Sequence, residues 1–269
     1  MRVALVSLNQ HWLNKDINFA RCVEFVQQAR QLKCELIIFP EMTLTGYSLD
    51  VSQIAENEKS SNTLKRFSEL AYQEGINIIF GACLIDGISH RPANHFCLAL
   101  KTGESSAIYK KIHPFSFTGE DDIFAAGNYL KVSKLGTMNF VPTICYDLRF
   151  PELYAVMSSY CNAAIVIANW PSQRISHWRT LLTARAIENQ FYMFGVNRTG
   201  MDGNQLLYEK SSFAINPDGN ILEGESYSNE FDVYKFDSEI AMSCRDNFPT
   251  VRDKRYSLYK YFLEEMHVK

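Results

Sequence analysis

The 269-residue sequence has no Cys-x-x-Cys pair and no Cys/His cluster at zinc spacing, although it contains seven cysteines, Cys22, Cys34, Cys83, Cys97, Cys145, Cys161 and Cys244. An odd count without metal-ligand spacing argues against a disulfide framework or a structural zinc site, so all seven read as reduced thiols, and no metal or cofactor is expected. No long Lys/Arg run offsets the 30 acidic residues, and the formal net charge is -3. This balance excludes a nucleic-acid or anionic-membrane surface and favours a small neutral or anionic ligand. No apolar run approaches the ~18 to 20 residues of a membrane span, and the Met1 to Leu8 start lacks the apolar region and cleavage site of a signal peptide. A cytoplasmic protein is expected. Repeats, low-complexity tracts and linkers are also missing, which leaves one domain over 1–269.

What the sequence does have is alternation. Val3 to Leu8 reads as a buried strand, 14–32 as a helix, and Leu36 to Phe39 as a second buried strand closed by Pro40 and Glu41. Leu64, Phe67, Leu70 and Ala71 mark a helix that Gly75 ends, and Ile76 to Phe80 is the next strand. Phe96 to Leu100 and Ser106 to Tyr109, joined through Thr102 and Gly103, read as a hairpin. The stretch 112–128 shows neither periodicity, and loops of that length inside a domain are usually functional. The alternation resumes with a helix over 151–159, the strand Ala163 to Ala168, a helix over 176–190 and the strand Phe191 to Val196. The last part is antiparallel in character, with Ser212 to Ile215, a turn at Asn216-Pro217-Asp218-Gly219, and Phe231 to Phe236. Buried strands alternating with helices, with late hairpins, predict an α/β protein of large mixed sheets covered by helices.

One cysteine stands apart. The apolar run Phe140 to Ile144 stops at Cys145, and Pro151-Glu152 suits the first turn of a following helix. A thiol at a strand-to-helix turn is offered backbone N–H groups and a helix N-terminus, which favour thiolate over thiol. The competing reading is a small buried filler, the commonest fate of a free cysteine. Partners elsewhere decide between them. Glu41, Lys111, Cys145 and Asn169-Trp170 each fall at the carboxyl end of a predicted strand, the edge of an α/β sheet where ligands bind. A carboxylate can take the thiol proton, an ammonium can hold an oxyanion, and a thiol can attack a carbonyl carbon. Taken singly, Glu41 could be a turn cap and Lys111 a solvated strand end.

Three segments in order, Pro40-Glu41-Met42-Thr43-Leu44-Thr45-Gly46-Tyr47, Tyr109-Lys110-Lys111-Ile112-His113 and Ile144-Cys145-Tyr146-Asp147-Leu148-Arg149-Phe150-Pro151-Glu152, resemble the Glu-Lys-Cys motifs of the nitrilase, or carbon-nitrogen hydrolase, superfamily over essentially the whole chain. The resemblance implies a four-layer α-β-β-α sandwich, dimers or larger homo-oligomers joined through helical faces, and catalytic Glu41, Lys111 and Cys145. It also implies a supporting Glu120 in the loop through Phe124 to Gly127, and the N–H of Tyr146 as a second oxyanion donor. The C-terminal segment, 237–269, is expected to be an oligomer-contact arm. Pro114 departs from the apolar residue that relatives often carry after the histidine, which bears on the loop path rather than on the lysine.

Cys145 to Pro151, Asn169-Trp170-Pro171 and Ala184 to Asn189 look most like the ω-amidase branch. That likeness implies hydrolysis of the ω-amide of small acids such as 2-oxoglutaramate, with a Cys thioester and release of ammonia. Asn169, Trp170, Arg174 and Arg149 are the expected substrate contacts. Arg149 could instead pair with a core carboxylate and hold the turn after Cys145. His113 and His177 are expected to act through hydrogen bonds beside the site. Another amidase of the superfamily, an N-carbamoyl amide hydrolase, a module feeding ammonia to a partner and an inactive binding subunit remain alternatives. A papain-like hydrolase would need a histidine paired with Cys145.

Overall fold

The computed structural model describes residues 1–87 and 90–266. Two sheets form its centre. The larger is built on the parallel strands Arg2–Val6, Leu36–Ile38 and Asn77–Ile85, and it continues antiparallel through Pro92–Ala99 to Ser105–Lys110 on one side and through Phe231–Lys235 to Glu225–Ser226 on the other. The smaller has Met138–Ile144, Ala163–Ala168 and Tyr192–Asn197 in parallel, with Ser133–Leu135 and Phe213–Ile215 as antiparallel edges.

Period-2 alternation explains why the sheets stack. In the larger sheet Val3, Leu5, Leu36, Ile38 and Ile79 join Met138, Phe140, Ile144 and Ile165 of the smaller one in a single core. Their neighbours Ala4, Val6, Ile37, Phe39, Ile78 and Phe80 face the opposite way, into a second core under the helices Lys15–Gln31 and Asn62–Glu74. Because both faces are covered, these strands read in sequence as continuous apolar runs. On the far side Trp178, Leu182 and Ala186 of the helix Ile175–Asn189 and Tyr154 of Pro151–Met157 cover the smaller sheet. The order is helix, sheet, sheet, helix.

Local chemistry sets the helix ends. The Ser61 hydroxyl accepts from the N–H of Leu64 at 3.1 Å, and Gly75 closes the same helix in the left-handed region at φ 65°. Phe67 on that helix stacks on Phe80 of the sheet with ring centroids 4.0 Å apart.

Several expected boundaries move. The strand expected at Ile76 to Phe80 runs on to Ile85, because it pairs along its whole length with Pro92–Ala99. The stretch 112–128 holds a 3-10 turn at Ser116–Thr118 and a short helix at Glu120–Ile123. Cys145 is followed directly by a 3-10 turn, Cys145–Arg149, so the Pro151 helix begins too late to present its N-terminus to the thiol. Past 237 the chain forms the helices Ser238–Asn247 and Tyr256–Met266; residues 267–269 of the expected C-terminal arm lie outside the described residues. Among the described residues, no helix is long and apolar enough to cross a membrane.

Candidate active site

Glu41 begins the turn that follows the strand Leu36–Ile38, and a lattice of amide groups holds that turn. The Gln10 side-chain amide donates to the carbonyls of Glu41, Met42 and Thr43 at 3.0, 2.9 and 3.2 Å. Met42 sits at φ 45°, a left-handed conformation that a side chain adopts only when its surroundings enforce it. The enforcing contact is Gly81 on the neighbouring strand, where a Cβ would lie 2.4 Å from the Met42 nitrogen and 2.9 Å from the Glu41 Cα.

The Glu41 carboxylate is wholly buried. Asn94 donates to its Oε1 at 2.7 Å and Lys111 at 3.3 Å, while the Asn169 N–H donates to Oε2 at 2.8 Å. Lys111, 1% exposed, lies nearer to Glu120, at 2.8 Å from Oε2 and 3.1 Å from Oε1. Glu120 Oε2 also accepts from the N–H of Phe115 at 2.6 Å and from the Tyr47 hydroxyl at 3.2 Å. Burial alone would pull the Lys111 ammonium down, but Glu41 and Glu120 together outweigh it and hold the group well above its ordinary range. Two carboxylates around one ammonium leave this cluster with a formal charge of -1.

Cys145 occupies the first position of its 3-10 turn at φ 46°, with Sγ 3.9 Å from the Asn169 carbonyl. Burial first, and then Glu41, push its thiol well above the usual value, and Lys111 offsets only part of this. This runs against the expectation that the local backbone favours thiolate, since burial and Glu41 favour the thiol form. A second anion beside a cluster already at -1 is costly, so a route to the nucleophile must move the proton to Glu41 as sulfur attacks.

These groups open onto one cavity of about 190 Å³. That is smaller than the ~300 to 1,000 Å³ of sites for drug-sized ligands, so it suits a small molecule. Tyr47, Phe115, Phe117, Tyr146, Trp170 and Tyr208 supply aromatic walls. Arg149 and Arg174 line the same cavity. Arg149 lies over the Trp170 ring at 4.9 Å and 3.5 Å from His177 Nδ1. Arg174 lies over Phe115 at 5.9 Å, and its carbonyl accepts from Trp170 Nε1. Among the described residues neither guanidinium forms an ion pair. The alternative of Arg149 paired to a core carboxylate is therefore not what the fold adopts.

The structure thus gathers Glu41, Lys111, Glu120, Cys145, Tyr146, Asn169, Trp170, Arg149 and Arg174. Asn169 differs from expectation in emphasis, since its N–H and its amide nitrogen both serve Glu41. His113 faces Asp147, with Nδ1 to Oδ1 at 2.9 Å, and stacks on Phe150, whereas exposed His177 meets Arg149, so the partners of both rings lie away from the thiol. Sequence reasoning missed Asn94, Tyr47, Phe115 and Tyr208. Asn94, with His95 beside it, interrupts an otherwise apolar strand, a signal that could have marked it. No group of three or more His, Cys, Asp or Glu able to hold a metal occurs among the described residues.

A buried carboxylate, an ammonium and a thiol at the strand ends of a helix-sheet-sheet-helix sandwich define a class, and the comparisons agree with it. The carbon-nitrogen hydrolase family model matches residues 2–233, and the chain belongs to that family. It is a hydrolase of carbon-nitrogen bonds other than peptide bonds. Among its relatives, the omega-amidase YafV of Escherichia coli K12 is 32% identical over 223 residues, covering 81% of this chain and 84% of that protein. The 2-oxoglutaramate amidase of Paenarthrobacter nicotinovorans is 33% identical over 237 residues, covering 84% and 80%. A CN-hydrolase superfamily protein from Xanthomonas campestris, solved with an arsenic adduct in its active site, superposes with a TM-score of 0.87 at 28% identity, covering 94% of this chain and 97% of that one. An amidase from Nesterenkonia sp. shares the fold, with a TM-score of 0.83 at 22% identity over 97% of this chain and 96% of its own.

Proposed function

We propose that the protein hydrolyses the ω-amide of small carboxylic acids, of the 2-oxoglutaramate type, through a thioester on Cys145. Cys145 Sγ attacks the amide carbon while Glu41 takes the thiol proton. Lys111 and the N–H of Tyr146 hold the oxyanion. Glu41 returns the proton to the departing nitrogen, ammonia leaves, and water delivered by the same base hydrolyses the thioester. Glu120 keeps Lys111 charged and in place. The observation that carries the substrate class is the pair Arg149 and Arg174, two guanidinium groups on the wall of a small aromatic cavity that form no ion pair among the described residues. An anionic substrate would supply the missing counter-charge. The omega-amidase and 2-oxoglutaramate amidase names of the relatives support the same reading.

The deciding experiment measures kcat/KM for 2-oxoglutaramate, succinamate, a short neutral amide, an N-carbamoyl amino acid and a nitrile on one preparation. The two anionic amides should lead, and Arg174→Ala should raise KM for them and leave the neutral amide unchanged. A preference for the carbamoyl compound or the nitrile would defeat this substrate assignment.

We also propose a single catalytic domain that works in the cytoplasm as a homodimer or larger assembly. Seven free thiols fit a reducing compartment. Exposed Phe248, Tyr259, Tyr261, Phe262 and Leu263 on the C-terminal segment fit an arm that contacts another subunit.

A further inference from the structure

The oxyanion donors proposed above come from different parts of the chain. Lys111 follows one edge strand of the larger sheet, and Tyr146 belongs to the turn after Met138–Ile144 of the smaller one. Their separation therefore depends on how the two sheets are fixed together at this end. A single wholly buried carboxylate spans the gap. Asp147 Oδ1 accepts from the His113 N–H at 3.0 Å and faces His113 Nδ1 at 2.9 Å; Oδ2 accepts from the Tyr109 hydroxyl at 2.8 Å and from the Ile144 N–H at 3.0 Å. The Tyr109 oxygen accepts in turn from the Ile112 N–H at 3.1 Å. The contacts bracket Lys111 through residues 109, 112 and 113. They bracket Tyr146 through Ile144 and Asp147 itself.

We infer that Asp147 is a positioning residue which sets the distance between the two oxyanion donors, Lys111 and the Tyr146 N–H. It touches neither substrate nor sulfur. Its four close contacts hold both flanks, and His113, clamped against Phe150 with ring centroids 3.6 Å apart, stiffens the Lys111 side. Preorganised donors act on the charge that develops in the transition state, so a shift of the pair lowers the rate without loosening ground-state binding. Asn at this position keeps the shape but offers an N–H₂ to groups that already donate, and the two flanks must part.

The inference rests on the thioester reading, and the test separates the two. An ω-aldehyde acid such as 4-oxobutanoate reports on the oxyanion site directly. Cys145 sulfur bonds to the aldehyde carbon, the carbonyl π bond breaks, the thiol proton passes to Glu41, and the oxygen becomes the anion held by Lys111 and Tyr146. Wild-type protein should be inhibited reversibly by the aldehyde. Asp147→Asn should lower kcat and weaken the aldehyde by about 100-fold, the scale of a misplaced catalytic group, with KM for succinamate within about threefold of wild type. Tyr109→Phe, which keeps the ring and deletes one contact, should move both quantities the same way by about tenfold, and it decides the matter if the Asn variant does not fold. No inhibition of the wild type would overturn the thioester reading. Inhibition of the wild type, with variants that bind the aldehyde as tightly or lose only KM, would overturn the role of Asp147.

Discussion

Lys111 Nζ lies 2.8 Å from the carboxylate of Glu120 and 3.3 Å from that of Glu41, so the loop glutamate is its closer partner. The arrangement lets one carboxylate hold the ammonium while the other remains available to the thiol. Glu120→Gln removes the anion and keeps one acceptor oxygen; turned to the Phe115 N–H and the Tyr47 hydroxyl, it sets its NH₂ against Lys111 and Asn94, which already donate there. Orphaned buried donors cost about 1 to 3 kcal/mol, and Lys111 would turn to Glu41 and occupy the base. Chemical denaturation should show a loss of that size, and kcat should fall by about tenfold or more. A variant with wild-type kcat would remove Glu120 from the account.

Gly81 offers a test at a position with no reactive side chain of its own. Its missing Cβ is what allows the sheet to approach the Met42 nitrogen, and with it the Glu41 turn. Gly81→Ala forces that backbone away, at a cost of about 1 to 3 kcal/mol typical of overpacking. The melting temperature should drop, and kcat should drop further than KM changes, because Glu41 moves relative to Cys145. Unaltered stability and rate would show that the turn is not held there.

His95 gives a signature in pH. Burial, with Lys110 adding to it, lowers its ring from 6.5 to about 4 in the folded chain. The unfolded chain binds a proton near 6.5 that the folded chain refuses, so this contribution is present above pH 6.5 and is lost as pH falls towards 4. The full loss is about 3 kcal/mol. Comparing the pH dependence of unfolding in wild type and His95→Asn isolates it: the difference should grow through this window, and parallel curves would contradict the assignment.

The candidate edge is legible in sequence because Glu41, Cys145 and Asn169 each follow a continuous apolar run, and a strand buried on both faces declares its own end. Lys111 follows the half-exposed hairpin strand Ser105–Lys110, so only its place after that strand marks it. Asn94 is not legible in this way, since it lies within Pro92–Ala99 rather than past its end, and only the pairing with neighbouring strands aims its amide at Glu41 and Glu120. Phe115 and Tyr208 reach the cavity from a 3-10 turn region and a two-residue strand, elements too short to carry periodicity. The electrostatics of Cys145 were misjudged for a related reason. The turn is visible in sequence, but the burial and the proximity of Glu41 that push the thiol upward arise only when the two sheets close on each other.

The proposed chemistry turns on one covalent bond. Succinamate mixed with the protein and quenched in acid during turnover should leave the protein heavier by one succinyl group, and peptide mapping should place that group on the Cys145 sulfur. Cys145→Ala should show neither the added mass nor ammonia release. Ammonia released at the wild-type rate by that variant, or an acyl group on Cys161 or Cys244 in place of Cys145, would contradict the central claim.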